Sequence, residues 1–144
     1  FSKKELESTS LLLKILEKNK VDILVLAGFL LKIPSTFINE FSGKIINVHP
    51  SLLPKYGGKG MYGDNVHRAV LSAREKLTGI TFHYVNEKYD DGEIIAQFPV
   101  VISELESLSS LKEKINKLEK LKFPEIIISI YNESVKKENT RNNI

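Results

Sequence analysis

Val21-Asp22-Ile23-Leu24-Val25-Leu26-Ala27, bounded by Lys20 and Gly28, is a nearly continuous apolar run. A strand with one wet face alternates apolar and polar residues; a run without that alternation is expected to be covered on both faces, the habit of parallel sheets flanked by helices. Upstream, Ser2 to Asn19 reads as a helix. Ser2 and Glu5 make a capping-box pair, Phe1 and Leu6 stand at the staple positions, and Leu6, Leu12, Leu13 and Leu16 supply an apolar face. A helix leading into a buried strand is the second half of a βαβ unit.

Outward on the other side, Pro34-Ser35-Thr36 starts a short helix through Phe41, and Lys44 to Val48 forms a second strand. His49 to Gly63 is a loop rich in glycine and proline, followed by a helix from Asp64, as its cap, to Ala73. Strands are expected at Gly79 to Val85 and Glu93 to Val101, joined as a hairpin through Asn86 to Gly92. Ser107 then caps a helix with Leu108, Leu111, Ile115 and Leu118 on one face, and Pro124 begins or kinks a last isoleucine-rich segment. The order predicts an α/β fold with a mainly parallel sheet and a C-terminal hairpin. Residues 1–135 are expected to be one domain and 136–144 a polar tail.

The 144 residues carry 21 Lys and Arg against 18 Asp and Glu. The whole excess lies from Lys112 onward, where eight basic residues face five acidic ones, so the body of the chain is neutral. Only three arginines occur, Arg68, Arg74 and Arg141. Nucleic-acid surfaces favour arginine forks on a basic stripe, so no nucleic-acid partner is expected. Cysteine is absent, which excludes disulfides, zinc thiolates and thiol nucleophiles and points to a reducing, cytoplasmic setting. No apolar run approaches the roughly 20 residues that span a bilayer, so no membrane partner is expected.

Asn47-Val48-His49-Pro50-Ser51-Leu52-Leu53-Pro54 is the densest group of candidate chemistry. Residues i and i+2 of a strand share a face, so Asn47 and His49 project together where the chain leaves the sheet, the place where open α/β sheets bind ligands. An amide donor and an imidazole aimed at one point suit a reaction that develops negative charge on oxygen. Taken singly, each residue has an ordinary explanation: a loop histidine bonded to backbone, and an asparagine serving turn chemistry. Tyr89-Asp90-Asp91-Gly92-Glu93 is first a turn signal, but a carboxylate from it could hold His49 protonated if the loop folds over the strand end.

Other motifs fail on their details. Gly57-Gly58-Lys59-Gly60 is not a P-loop, because Leu53 stands where glycine is needed and Gly60 where Ser or Thr is. There is no G-x-G-x-x-G, and no G-x-S-x-G elbow around Ser51. His49, His67 and His83 lack metal-site spacing, so no metal is expected. His67 is expected on a helix surface or in local packing, and His83 in sheet-face packing.

Together, Leu26-Ala27-Gly28-Phe29, Asn47 through Tyr56, Gly79 through Val85, and Tyr89-Asp90-Asp91-Gly92 with Gln97 resemble the formyltetrahydrofolate-dependent formyltransferase family, most closely its branch acting on glycinamide ribonucleotide. The resemblance covers about Val21 to Phe123 and implies a Rossmann-like fold. It implies Asn47, His49 and Asp90 as the catalytic trio, with Asp90 rather than Asp91 because it opens the family's Asp-x-Gly pattern. It implies 10-formyltetrahydrofolate as co-substrate, held by Leu30, Leu31, Lys32 and Ile33 beside Asn47, although Lys32 departs from an apolar wall. The loop from Asn86 to Asp90 would form the opposite wall. Glu119 matches a carboxylate near the amine of glycinamide ribonucleotide; a solvated glutamate on an amphipathic helix is the other reading.

The family's opening strand and glycine-rich phosphate turn have no counterpart here, so the first βα units are expected to be missing and the phosphate-holding residues with them. Relatives that hydrolyse formyltetrahydrofolate or formylate methionyl-tRNA share the same trio logic, but the latter normally adds a tRNA-binding domain for which this chain has no room. The remaining alternative is an inactive folate-binding fragment whose sheet edge needs missing strands or a partner.

Overall fold

The structure is a computed structural model that describes residues 9–29 and 31–141. Its elements are α1 (Thr9–Lys18), β1 (Ile23–Leu26), α2 (Ser35–Glu40), β2 (Lys44–His49), α3 (Asp64–Ser72), β3 (Leu77–Tyr84), β4 (Ile94–Val101) and α4 (Leu108–Arg141). The capping pair Ser2 and Glu5, the staple residues Phe1 and Leu6, and the site candidate Leu30 lie outside the described residues.

The four strands form one sheet in the order β1-β2-β3-β4. The α/β class and the closing hairpin are as expected, but the mainly parallel part of the expectation needs revision. Only β1 and β2 pair in parallel; β2 with β3 and β3 with β4 are antiparallel. An apolar run is the mark of a strand covered on both faces, whatever its neighbour's direction, and β3 is such a strand, with Thr78 to His83 all buried. After β2 the chain stays at the end of the sheet through a loop and α3, so it re-enters running the opposite way. β1, read as doubly covered, is half-buried over Ile23 to Val25 because it is the edge strand among the described residues.

Alternation along β2 and β3 divides the core into two layers. Ile46, Val48, Ile80 and Phe82 point into one layer, where they meet Val70 of α3 and Leu111, Ile115, Ile126 and Ile130 of α4. Phe82 is fully buried there, with Phe98 and Phe123 edge-on at centroid distances of 6.1 and 5.5 Å. Ile45 points the other way, into a layer with Leu12 and Leu16 of α1, Leu26 of β1 and Phe37 of α2. Each fully buried aliphatic or aromatic side chain contributes about 1.5–3 kcal/mol, so both layers matter to stability. By the same alternation Asn47, His49, Thr81 and His83 turn away from the α4 layer, toward the end of the sheet where β1 and β2 finish.

Two helix starts differ in an instructive way. Ser107 caps α4 as expected, its Oγ accepting from Ser110 N at 3.1 Å. Asp64 does not cap α3; the cap position is Gly63 at φ +54°, and Asp64 occupies the first turn, where its carboxylate pairs with Lys112 at 2.6 Å. α4 passes through Pro124 without ending and continues to Arg141, into residues 136–144, the expected polar tail. Pro124 brings no N–H to the helix, yet Ile126 and Ile130 past it are buried against the sheet, which holds the helix in line.

Candidate active site

The end of β2 opens into a cavity of about 1040 Å³. Asn47 and His49 form its floor; Phe29, Leu31, Lys32 and Ile33 line one side, Val85 through Asp90 the opposite side, and Ile115, Asn116 and Glu119 of α4 a third. The sequence candidates Leu31, Lys32, Ile33, Asn47, His49, Asp90 and Glu119 therefore come together around one space.

His49 is held at both ring nitrogens. Its Nε2 lies 2.7 Å from the Tyr56 carbonyl, which can only accept, so Nε2 carries a hydrogen. Its Nδ1 lies 3.4 Å from Asp90 Oδ1. Tyr56 can offer that carbonyl because its backbone is left-handed, φ +56°, while its hydroxyl donates to Glu75 Oε1 at 2.9 Å and anchors the loop on the turn between α3 and β3. The expected backbone bond and the expected carboxylate contact are thus both present on one imidazole.

The loop that carries Ser51 to Leu53 is pinned to β3. Thr81 Oγ1 donates to Ser51 O at 2.7 Å and accepts from Leu53 N at 3.0 Å and Gln97 Nε2 at 2.9 Å. Gln97 also donates to Leu53 O at 2.9 Å. A buried hydroxyl with all of its bonds made fixes the path of the chain just past His49.

Asp90, not Asp91, reaches the histidines. Its Oδ2 accepts from Gly58 N at 2.9 Å and its Oδ1 faces His49 at 3.4 Å and His83 at 3.8 Å, whereas Asp91 is exposed and faces Lys88 at 3.8 Å. Burial pushes the Asp90 carboxyl up, but the His49 contact and charge, the Gly58 N–H and His83 outweigh it and hold Asp90 below the ordinary aspartate range. Gly57 keeps this approach open, since a Cβ there would lie 2.5 Å from Leu53 Cδ2 and 3.3 Å from Asp90 Cβ.

His83 was expected only in sheet packing, and the structure gives it more. It is the cross-strand partner of Asn47. Its Nδ1 lies 2.9 Å from the Tyr84 carbonyl, so Nδ1 carries the hydrogen and Nε2 accepts from Asn47 Nδ2 at 3.2 Å. Burial depresses its pKa, with the Tyr84 carbonyl and Asp90 opposing, in keeping with a neutral ring. That bond orients the Asn47 amide and leaves its second N–H free. The signal in the sequence was a histidine inside an otherwise apolar strand, but its meaning depended on the antiparallel register.

Of the two placements expected for His67, the structure has the packed one: it is buried on α3, lines the cavity, and leaves Nδ1 without a hydrogen-bond partner. Burial lowers its pKa, with Asp64 opposing. Glu119 is half-buried; burial raises its carboxyl above the ordinary glutamate range, with the charge of His49 opposing. Among the described residues no group of three or more His, Asp or Glu is arranged to hold a metal ion, and no helix is long and apolar enough to cross a membrane.

Comparison with known protein families matches residues 2–127 to the formyl transferase family. The chain belongs to the formyl transferase family. It is 40% identical over 129 residues to the chloroplastic phosphoribosylglycinamide formyltransferase of Arabidopsis thaliana, a match covering 90% of this chain and 44% of that protein. It is 39% identical over 112 residues to the phosphoribosylglycinamide formyltransferase of Bacillus subtilis (strain 168), covering 78% of this chain and 55% of that protein. The crystal structure of phosphoribosylglycinamide formyltransferase from Bacillus halodurans superimposes with a TM-score of 0.77 at 33% identity, covering 90% of this chain and 64% of that one. The chain thus spans about half the length of these curated relatives. The structural likeness makes the mixed sheet part of a Rossmann-like formyltransferase fold.

Proposed function

We propose that this chain carries the catalytic portion of an enzyme that transfers a formyl group from 10-formyltetrahydrofolate to the amine of glycinamide ribonucleotide. Family membership supports the reaction class, and the likeness to phosphoribosylglycinamide formyltransferases supports this pair of substrates. The single observation that carries the reading is the convergence of Asn47, His49 and Asp90 at one end of a single cavity large enough for more than a single small ligand.

Transfer joins the amine nitrogen to the formyl carbon and then releases the donor nitrogen, and between these events the formyl oxygen bears negative charge. Asn47 meets that oxygen with the N–H that His83 does not use. His49 faces an acceptor at each ring nitrogen, the Tyr56 carbonyl and the Asp90 carboxylate, an arrangement that suits an imidazolium and its positive charge. Asp90 also takes the proton lost by the attacking amine and returns it toward the departing nitrogen, directly or through one water. The apolar side of the cavity, from Leu31 to Ile33 facing Val85, suits a flat heterocycle, and Glu119, whose carboxyl burial raises above the ordinary glutamate range, faces the amine substrate.

Mass spectrometry of glycinamide ribonucleotide incubated with the protein and 10-formyltetrahydrofolate tests the reading. A product heavier by one formyl group is expected. Release of formate with the amine unchanged would instead make the protein a hydrolase.

A further inference from the structure

Two contacts outside the trio join opposite rims of the cavity. Lys32, between β1 and α2, holds its ammonium over the Tyr89 ring with Nζ 5.5 Å from the centroid. Asn39, in α2, donates from Nδ2 to Glu87 Oε1 at 2.9 Å. Tyr89 and Glu87 belong to the 85–93 segment between β3 and β4, the segment that carries Asp90.

The ends of that segment are fixed by the sheet. Val85 N bonds to Ile45 O and Tyr84 N to Glu93 O, each at 2.9 Å. Its middle has little support of its own: residues 86–89 are exposed, with an Asn86 Oδ1 to Lys88 N turn at 3.0 Å and a loose Lys88–Asp91 pair. Asp90 itself sits at φ +51°, a left-handed conformation uncommon outside glycine, although aspartate tolerates it better than most residues. The Asp90 carboxylate is held at its tip by Gly58 N and faces His49, while the segment that delivers it is steadied by what its outer part leans against. The contacts with Lys32 and Asn39 are what the β1 and α2 side provides, and they give a reason for the lysine in the otherwise apolar Leu31-Lys32-Ile33 wall.

We propose that Lys32 and Asn39 are positioning residues that tie Tyr89 and Glu87 to the α2 rim and so keep Asp90 against His49. Neither touches the reacting atoms. Each contact is exposed and modest alone, but both act on one short segment, so they restrict it together. The effect on turnover rests on the formyl-transfer reading above; the tether does not.

The test uses Lys32→Met, Asn39→Ala and the double variant, with Lys32→Arg and Glu87→Gln as versions that keep each contact. Backbone ¹⁵N order parameters of residues 86–91 are measured first, with β3 as internal reference. In the double variant they are expected to fall from the rigid range near about 0.85 toward the flexible range below about 0.6 while β3 is unchanged. In Lys32→Arg and Glu87→Gln they stay in the rigid range. The kcat for formyl transfer is expected to fall about 10-fold in the double variant, with KM for the amine substrate little changed, since small misplacements of a reacting group cost up to about 10²-fold. Unchanged order parameters in the double variant overturn the proposal, as does a loosened segment with unchanged kcat. Should Asn39→Ala disturb β3 as well, Glu87→Ala against Glu87→Gln decides the same point from the other partner. A loosened segment in a protein whose unsubstituted form transfers no formyl group upholds the tether and overturns the formyl-transfer reading.

Discussion

Asn47 and His83 face each other across antiparallel β2 and β3, and the 3.2 Å bond from Nδ2 to Nε2 decides which way the Asn47 amide points. His83 can accept there because its other nitrogen is committed to the Tyr84 carbonyl. The pair converts a flexible amide into a fixed donor. His83→Phe keeps an aromatic ring of similar reach but removes the acceptor. We expect it to lower kcat about 10-fold by letting the amide turn. It should also lower stability by about 1–3 kcal/mol, read by urea unfolding, since buried polar groups lose their partner.

Asn47→Ala removes the donor itself. Turnover should fall by about 10²–10³ while KM changes little, because the free N–H is engaged only once charge develops on the formyl oxygen. Steady-state kinetics on the purified variant read this split. A raised KM at unchanged kcat would assign Asn47 to substrate binding instead.

Acid should weaken the fold through its two buried histidines. His67 and His83 both have folded pKa values depressed by burial, so below the ordinary histidine value near 6.5 the unfolded chain binds protons that the folded one refuses. Their stabilisation is complete above about pH 6.5 and is lost as pH falls through the depressed folded values, by up to about 1.4 kcal/mol per pH unit for each proton. Glu119, raised by burial, has the opposite sign: it loses stability as pH rises above the ordinary glutamate value. Comparing His67→Leu with the unsubstituted chain cancels that term. The urea midpoint of the variant should depend less on pH between about 5.5 and 7.

Gly92 closes the segment that carries Asp90 against the backbone of β3. A Cβ at that position would lie 1.6 Å from the Tyr84 carbonyl oxygen, which cannot move without breaking the strand. Gly92→Ala should therefore cost about 2–3 kcal/mol in urea unfolding and shift Asp90 away from His49. A variant as stable as the parent would mean that the β3 to β4 connection is looser than the geometry indicates.

The readable part of the molecule was its local part. Strand periodicity alone put Asn47 and His49 on one face of β2, and Ser107 announced the start of α4. Strand direction was not readable, because the apolar run Gly79 to Val85 serves a buried antiparallel strand as well as a parallel one. The role of His83 depended on that direction: only the antiparallel register sets it opposite Asn47. Asp90 was singled out through family resemblance, since its contacts with His49 and Gly58 join segments far apart in the chain and no local pattern encodes them. Asp64 has the residue type of a cap, but its side chain answers to Lys112, on a helix much later in the sequence. Pro124 signals a break, and only the burial of Ile126 and Ile130 beyond it keeps α4 continuous.

The central claim is that Asp90 and His49, 3.4 Å apart, work as a charged pair in formyl transfer. Asp90→Asn keeps an oxygen to accept from Gly58 N and removes only the charge and the proton-accepting capacity. The most direct measurement is single-turnover formylation of glycinamide ribonucleotide by 10-formyltetrahydrofolate, followed by mass spectrometry, for the unsubstituted protein and for Asp90→Asn. The account predicts formylated product from the first and a rate lower by about 10²–10⁴ in the second. Equal rates in the two proteins would contradict it.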